Sequence, residues 1–134
     1  MSVKRFGVSL EEDLLKHLDQ LVEDKQFPNR SQAIRFLIHA RMVEKQWNED
    51  EEVAGALVMI YDHHKKDLQK QMTDIQHDYH HLILSSQHIH LNHDLCLETI
   101  TLKGKAGRLI RLTDKLKALK GIYHGEIVMT GIPA

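Results

Sequence analysis

Two histidines one residue apart, followed by the chain's single cysteine, stand in the stretch Gln87-His88-Ile89-His90-Leu91-Asn92-His93-Asp94-Leu95-Cys96. Eleven histidines occur in 134 residues, and several fall in or just ahead of this stretch. If the segment is a β-strand, His88 and His90 share one face, because side chains alternate along a strand. A tight turn at Asn92-His93-Asp94 would return the chain as the next strand, and loop length then decides where Cys96 falls. A two-residue loop pairs Leu91 with Asp94 and Ile89 with Cys96, sending the thiol to the wrong face. A three-residue loop pairs Leu91 with Leu95 and His90 with Cys96, and sets Glu98 opposite His88, where a carboxylate can orient a ligating imidazole. A hairpin that merely carries two histidines and a buried cysteine would give the same pattern, since free cysteine is a good core residue.

Two imidazoles and one thiolate leave a four-coordinate metal one ligand short. Candidates for the fourth stand in Gln76-His77-Asp78-Tyr79-His80-His81, at the end of the preceding helical run. Three nitrogens and one sulfur suit borderline ions: Zn(II) if tetrahedral, Ni(II) or Cu(II) if planar. A site this incomplete within one hairpin cannot close alone, and its missing ligand can come from the same chain or from a partner subunit.

The elements that must position these groups follow from the rest of the chain. Hydrophobic residues make up 42% and charged residues 28%, the composition of a folded, soluble protein of one domain or two small ones. No apolar run reaches the length of a membrane span, and Met1-Ser2-Val3-Lys4-Arg5-Phe6 lacks a signal-peptide core. One cysteine excludes an internal disulfide and fits a reducing cytoplasm. A net charge of −1 gives nucleic-acid binding no bulk electrostatic support, so any such activity must rest on local arrangement.

Residues 3–9 alternate as a short strand, with Phe6 and Val8 on one side and Arg5, Gly7 and Ser9 on the other. Ser9 with Glu12 suggests a capping box opening a first helix, whose apolar stripe is Leu14, Leu15, Leu18, Leu21 and Val22. Phe27-Pro28 ends it. Asn29 caps a second helix carrying Ala33, Ile34, Leu37, Ile38 and Met42. One strand and two helices cannot bury enough surface alone, and the lone strand has unpaired edges. Both defects vanish if two copies pair their strands and interlock their helices. That is the ribbon–helix–helix dimer, and Asn29-Arg30-Ser31-Gln32-Ala33-Ile34-Arg35 resembles that family's helix start. The resemblance implies a ribbon in the DNA major groove, with Arg5, Gly7 and Ser9 facing bases. It also implies a phosphate held by amides near Asn29, Arg30 and Ser31. A plain dimerisation unit would meet the same packing needs. Residues 1–42 carry seven Lys/Arg against six Asp/Glu, a net of only +1.

Residues 43–52 are polar and acidic, continuing the second helix before becoming a linker. Beyond them the expected elements are a strand at 53–61, a polar helix at 64–80, and strands at 82–91 and 95–103. An amphipathic helix at 106–119, ended by Gly121, and a strand at 122–130 complete the order. The sequence therefore predicts an α+β chain: a ribbon–helix–helix domain at 1–45, a linker at 46–52, and a ferredoxin-like βαββαβ, ACT-like regulatory domain at 53–134.

This two-part order, with Gln76-His77, His88-x-His90-x-Asn92-His93-Asp94-x-Cys96-Leu97-Glu98 and Leu102-Lys103-Gly104, resembles the nickel-responsive NikR repressors over nearly the full chain. The resemblance implies a homotetramer, a dimer of dimers, that binds a palindromic double-stranded DNA operator in the cytoplasm. It implies Ni(II) in a square-planar set, with His77 from one chain and His88, His90 and Cys96 from another, supported by Glu98 and Gln76. A weaker cation site known in the family needs an acidic pair, and the corresponding positions here are Gln32 and Phe36. Gly7 stands where some relatives carry threonine, so the operator can differ. His63, His64, His80, His81 and His124 are left without a role in the four-ligand set, the first two pairs being able to collect extra metal at high concentration. Other readings are a sensor of Co, Cu or Zn and a metal-storage protein. Four protein ligands close the site to substrate, which argues against an enzyme.

Overall fold

The structure, a computed structural model, describes residues 2–133; Met1 and Ala134, which end the two expected domains, lie outside the described residues. The chain forms two compact units, Met1–Arg41 and Met42–Ala134.

In the first unit, α1 is Glu12–Asp24, and α2, Arg30–Asn48, begins. Residues 2–10 form no strand ladder, and Val3, Phe6 and Val8 are 87%, 75% and 56% exposed. An isolated strand has no partner for its backbone groups, so the expected alternation is present in sequence without becoming a ladder in a single chain. The expected Ser9–Glu12 capping box does not form. Glu11 occupies the N-cap of α1, with no side-chain cap and with Leu15 N–H donating to its carbonyl at 3.0 Å. The third helical residue is then Leu14, which cannot return the bond a box needs. The cap at the second helix does form, Asn29 Oδ1 accepting from the Gln32 amide at 2.9 Å. Arg30 donates twice to Asp19, at 2.7 and 2.9 Å, tying the two helices.

Burial in this unit is poor. No residue of α1 is buried, and Ala33 is the one fully buried hydrophobic there among the described residues. Its apolar side chains instead surround a groove of about 960 Å³ lined by Phe6, Val8, Leu14, Leu18, Ile34 and Leu37.

The second unit is built on β1 (Glu52–Asp62), α3 (Leu68–Asp78), β2 (Ile83–His90), β3 (Leu95–Lys105), α4 (Ala106–Lys117) and β4 (Ile122–Thr130). The strands form one antiparallel sheet in the order β2-β3-β1-β4, the arrangement expected of a βαββαβ chain. Alternation in β1 buries Val53, Gly55, Leu57, Met59 and Tyr61 on one face, where Leu109, Leu112 and Leu116 of α4 and Leu68 and Met72 of α3 join the core. α3 is shorter than the 64–80 expected, because the chain turns through residues 63–67 with Asp67 at φ 70° before the helix begins. A 3-10 turn, His80–Leu82, follows it. α4 ends at Lys117, and Gly121, with φ 107°, supplies the left-handed residue just before β4.

Trp47, near the end of α2, belongs to this core. It is 6% exposed, its Nε1–H donates to the Thr130 carbonyl at 2.9 Å, and its ring lies over Gly55, where any Cβ would meet Val128 O at 2.8 Å. Trp47→Ala is expected to destabilise this unit by about 3–5 kcal/mol through lost packing and a lost partner for Thr130. Urea unfolding followed by circular dichroism measures it. Trp47→Phe, which keeps most of the ring, should lose much less.

Candidate metal centre

The hairpin β2–β3 has the three-residue loop. Leu91 N–H donates to Leu95 O at 2.8 Å, His90 pairs with Cys96, and His88 pairs with Glu98. Asn92 closes the loop, its Oδ1 accepting from the amides of Asp94 and Leu95, both at 2.9 Å. This loop sets the parity on which the site depends, and Cys96 Sγ lies 3.5 Å from His90 Nδ1. The His88 ring stands one rung away, 6.1 Å from that of His90 between centroids.

Cys96 is 1% exposed, and burial first, then the charges of Glu98 and Asp62, push its thiol pKa up. A metal ligated there would have to displace a proton held more firmly than usual. Glu98 is 6% exposed, and its two oxygens accept from Tyr61 O–H and the Gln76 amide, each at 2.9 Å, rather than from His88. The carboxylate so expected to orient His88 instead links β1, β3 and the end of α3. Burial, followed by the charge and hydrogen bond of Glu98, drives the Tyr61 pKa far above the usual phenol range.

His77 is not part of the hairpin cluster. Its ring stacks on His80 at 5.9 Å, beside a shallow depression it shares with Thr73, Gln76 and Ile83. Neighbours on a helix are turned by about 100°, so the Gln76 bond to Glu98 directs the adjacent His77 elsewhere. Beside His90 and Cys96 stands His63: the ligating atoms of these three lie within 4.8 Å of one another, a group that does not include His88. Strand order and register bring it there. In a βαββαβ sheet β1 lies beside β3, and Tyr61 pairs with Cys96, so the residue two past Tyr61 arrives next to the hairpin.

Of the residues expected to meet DNA, Arg5, Gly7 and Ser9 are exposed on the unpaired segment. Asn29 spends its side chain on the cap and Arg30 on Asp19, while the amides of Arg30 and Ser31 lie in the first helical turn, where no intrahelical acceptor exists. At the doubtful second cation position, Gln32 Oε1 accepts from Arg35 at 2.8 Å and Phe36 packs against Phe27 with centroids 5.4 Å apart.

Residues 54–130 match the NikR C terminal nickel binding domain, and residues 4–45 match the ribbon-helix-helix protein, copG family. A protein of Syntrophus aciditrophicus assigned as a nickel-responsive regulator is 49% identical over 97% of this chain and 95% of its own. The chain belongs to the nickel-responsive regulator family. Relatives with the same assignment in Desulfotalea psychrophila and Thermococcus kodakarensis are 50% and 46% identical, covering 95% and 98% of this chain and 93% and 96% of theirs. The family is one of transcriptional regulators, not enzymes. Two solved structures share the fold of the second unit. An uncharacterised protein of Thermotoga maritima has a TM-score of 0.54 at 16% identity, over 59% of this chain and 98% of its own. The ACT domain from GTP pyrophosphokinase of Chlorobium tepidum has 0.50 at 14%, over 57% and 99%. The ACT-like reading of the sheet holds.

The buried Tyr61–Glu98–Gln76 chain gives a pH prediction. A folded-state phenol pKa raised above the unfolded value of about 10 contributes stability that is complete below about pH 10 and lost as pH rises further. Wild-type protein should therefore lose stability above about pH 10 more steeply than Tyr61→Phe, in denaturant midpoints measured across alkaline pH. At neutral pH the same variant should be about 1–3 kcal/mol less stable, because Glu98 loses a donor.

Proposed function

We propose that this protein is a cytoplasmic, nickel-responsive, sequence-specific DNA-binding repressor, acting on nickel uptake. Ni(II) is held by His88, His90 and Cys96 of one chain with His77 of the partner subunit. The observation that carries the reading is the His90–Cys96 cross-strand contact, with His88 on the same face one rung away, inside the segment that matches the nickel-binding family. Two imidazoles and a thiolate are donors suited to a borderline ion such as Ni(II). When bound, the ion supplies a bond between subunits that no side chain here provides alone.

The chain's own residues supply the rest. Asn92 fixes the loop that brings Cys96 beside His90, and Gln76 with Glu98 anchors the end of α3, leaving His77 available to another chain. The sheet face away from the helices is uncovered and carries Ala54, Ala56, Val58, Ile60 and Leu97, with Ile89 and Val128 48% and 59% exposed. Such a face favours association of sensing domains into a tetramer. In this division of labour residues 1–45 dimerise and bind DNA, residues 46–52 connect, and residues 53–134 bind metal and tetramerise. The groove beside Phe6 and Leu18 supports pairing of two copies, which would turn the 3–9 segments into a ribbon presenting Arg5, Gly7 and Ser9 to palindromic half-sites. The amides of Arg30 and Ser31, with Asn29 as cap, are suited to a phosphate. Among the described residues no helix is long and apolar enough to cross a membrane.

His63 motivates a second reading of the metal set, in which it replaces His77 within one chain. Anaerobic Ni(II) titration with absorption spectra separates them. A thiolate-to-nickel band saturating at about one metal per chain is expected, and its loss in Cys96→Ala would place it. His77→Ala should weaken nickel binding and nickel-dependent DNA binding together while tetramers persist. If it has no effect and His63→Ala has, the ligand comes from the same chain. A protein with no tight nickel site would sink the reading. In DNA-binding assays on the regulated operator, Arg5→Ala should cost about 1–3 kcal/mol of discrimination.

A further inference from the structure

A second group of ligating side chains lies beside the hairpin without sharing Cys96. The loop after β1 and the loop between β2 and β3 meet there, joined by the His63 N–H bond to Asp94 O at 3.1 Å. Around this junction His93 Nδ1 lies 3.1 Å and His64 Nε2 3.6 Å from the same oxygen, Asp94 Oδ1. Both His63 Nε2 and His64 Nε2 also converge on the His93 carbonyl oxygen, at 2.6 and 3.0 Å. The ligating atoms of His64, His93 and Asp94 all lie within 4.8 Å of one another.

Two features distinguish this group from solvated surface charge. First, its backbone is fixed on both sides: Asn92 Oδ1 accepts from two amides of one loop, and Asp62 Oδ1 accepts from His64 N–H at 2.9 Å in the other. Second, its spacing comes close to that of ligands sharing one ion. Two atoms bound to one metal at about 2.1 Å, with angles between square and tetrahedral, sit about 3.0–3.4 Å apart. The 3.1 Å separation of His93 from Asp94 Oδ1 lies within that range, and the 3.6 Å separation of His64 lies just beyond it. All three side chains are exposed, so their rotamers are free to close the remaining gap.

We propose that His64, His93 and Asp94 form a second, sulfur-free binding site for a divalent transition metal. Two imidazoles, one carboxylate and open positions for water suit a borderline ion bound more weakly than at a thiolate site. His63 separates the two groups, its ring 3.9 Å from His64 and 4.8 Å from His90 between centroids, and its ligating atom lies with those of His90 and Cys96. An ion here would tie the loop after β1 to the hairpin loop, replacing the hydrogen bonds that hold them.

The proposal is independent of what occupies the Cys96 site, and the test keeps the two apart. Equilibrium dialysis of full-length Cys96→Ala against micromolar Ni(II) should retain about one ion per chain. Adding His64→Ala and Asp94→Asn should remove it, while His80→Ala with His81→Ala, an imidazole pair elsewhere on the surface, should not. In a chain that keeps Cys96, the His64→Ala, Asp94→Asn pair should leave the thiolate–nickel band intact and remove only a later, band-free equivalent. That second arm decides the matter even if Cys96→Ala fails to fold. Absence of any second equivalent, or one that survives the His64 and Asp94 substitutions, would overturn the proposal as adventitious metal only.

Discussion

The arrangement depends on one cross-strand pairing, His90 against Cys96. A sheet has only two faces, and a one-residue change in register moves a side chain from one to the other. Had the hairpin loop held two residues, the thiol would face away from both imidazoles. Asn92 secures the three-residue loop by accepting two amides, so one side-chain amide determines the chemistry of the whole hairpin. The same face then receives Tyr61 from β1, Glu98 from β3 and Gln76 from α3.

That buried polar chain is the expensive part of the design. A carboxylate 6% exposed needs donors, and both of its oxygens have one. Satisfying Glu98 fixes the end of α3 against the sheet and constrains which way the neighbouring His77 can turn.

The first unit is governed by the opposite circumstance, a lack of burial. Exposed Phe6 and Val8, an α1 without a buried residue and an apolar groove are what one half of an intertwined dimer looks like when seen singly. The sheet's uncovered face makes a similar demand for the second unit. The first unit lacks a core and the second leaves one sheet face bare, as befits a regulator whose metal and DNA sites both lie between chains in the proposed reading.

Much of this was legible in residue order. Alternation and small-to-branched composition marked β1 to within one residue at either end, and the βαββαβ order follows from strand and helix periods that local sterics impose. His88, His90, Cys96 and the parity argument needed only the pleat. Capping was legible where the chemistry was unambiguous, at Asn29, and illegible at Ser9, where Glu11 lay nearer the first helical turn. Trp47 looked like linker because its neighbours are polar, yet a single large ring reaches the core when the sheet supplies Gly55 to receive it. The placement of His63 beside Cys96, the engagement of Glu98 by Tyr61 and Gln76, and the meeting of His64 with His93 and Asp94 were settled only in three dimensions. Each joins residues some twenty to forty positions apart, and proximity of that kind is set by strand order and loop path, which local periodicity does not encode.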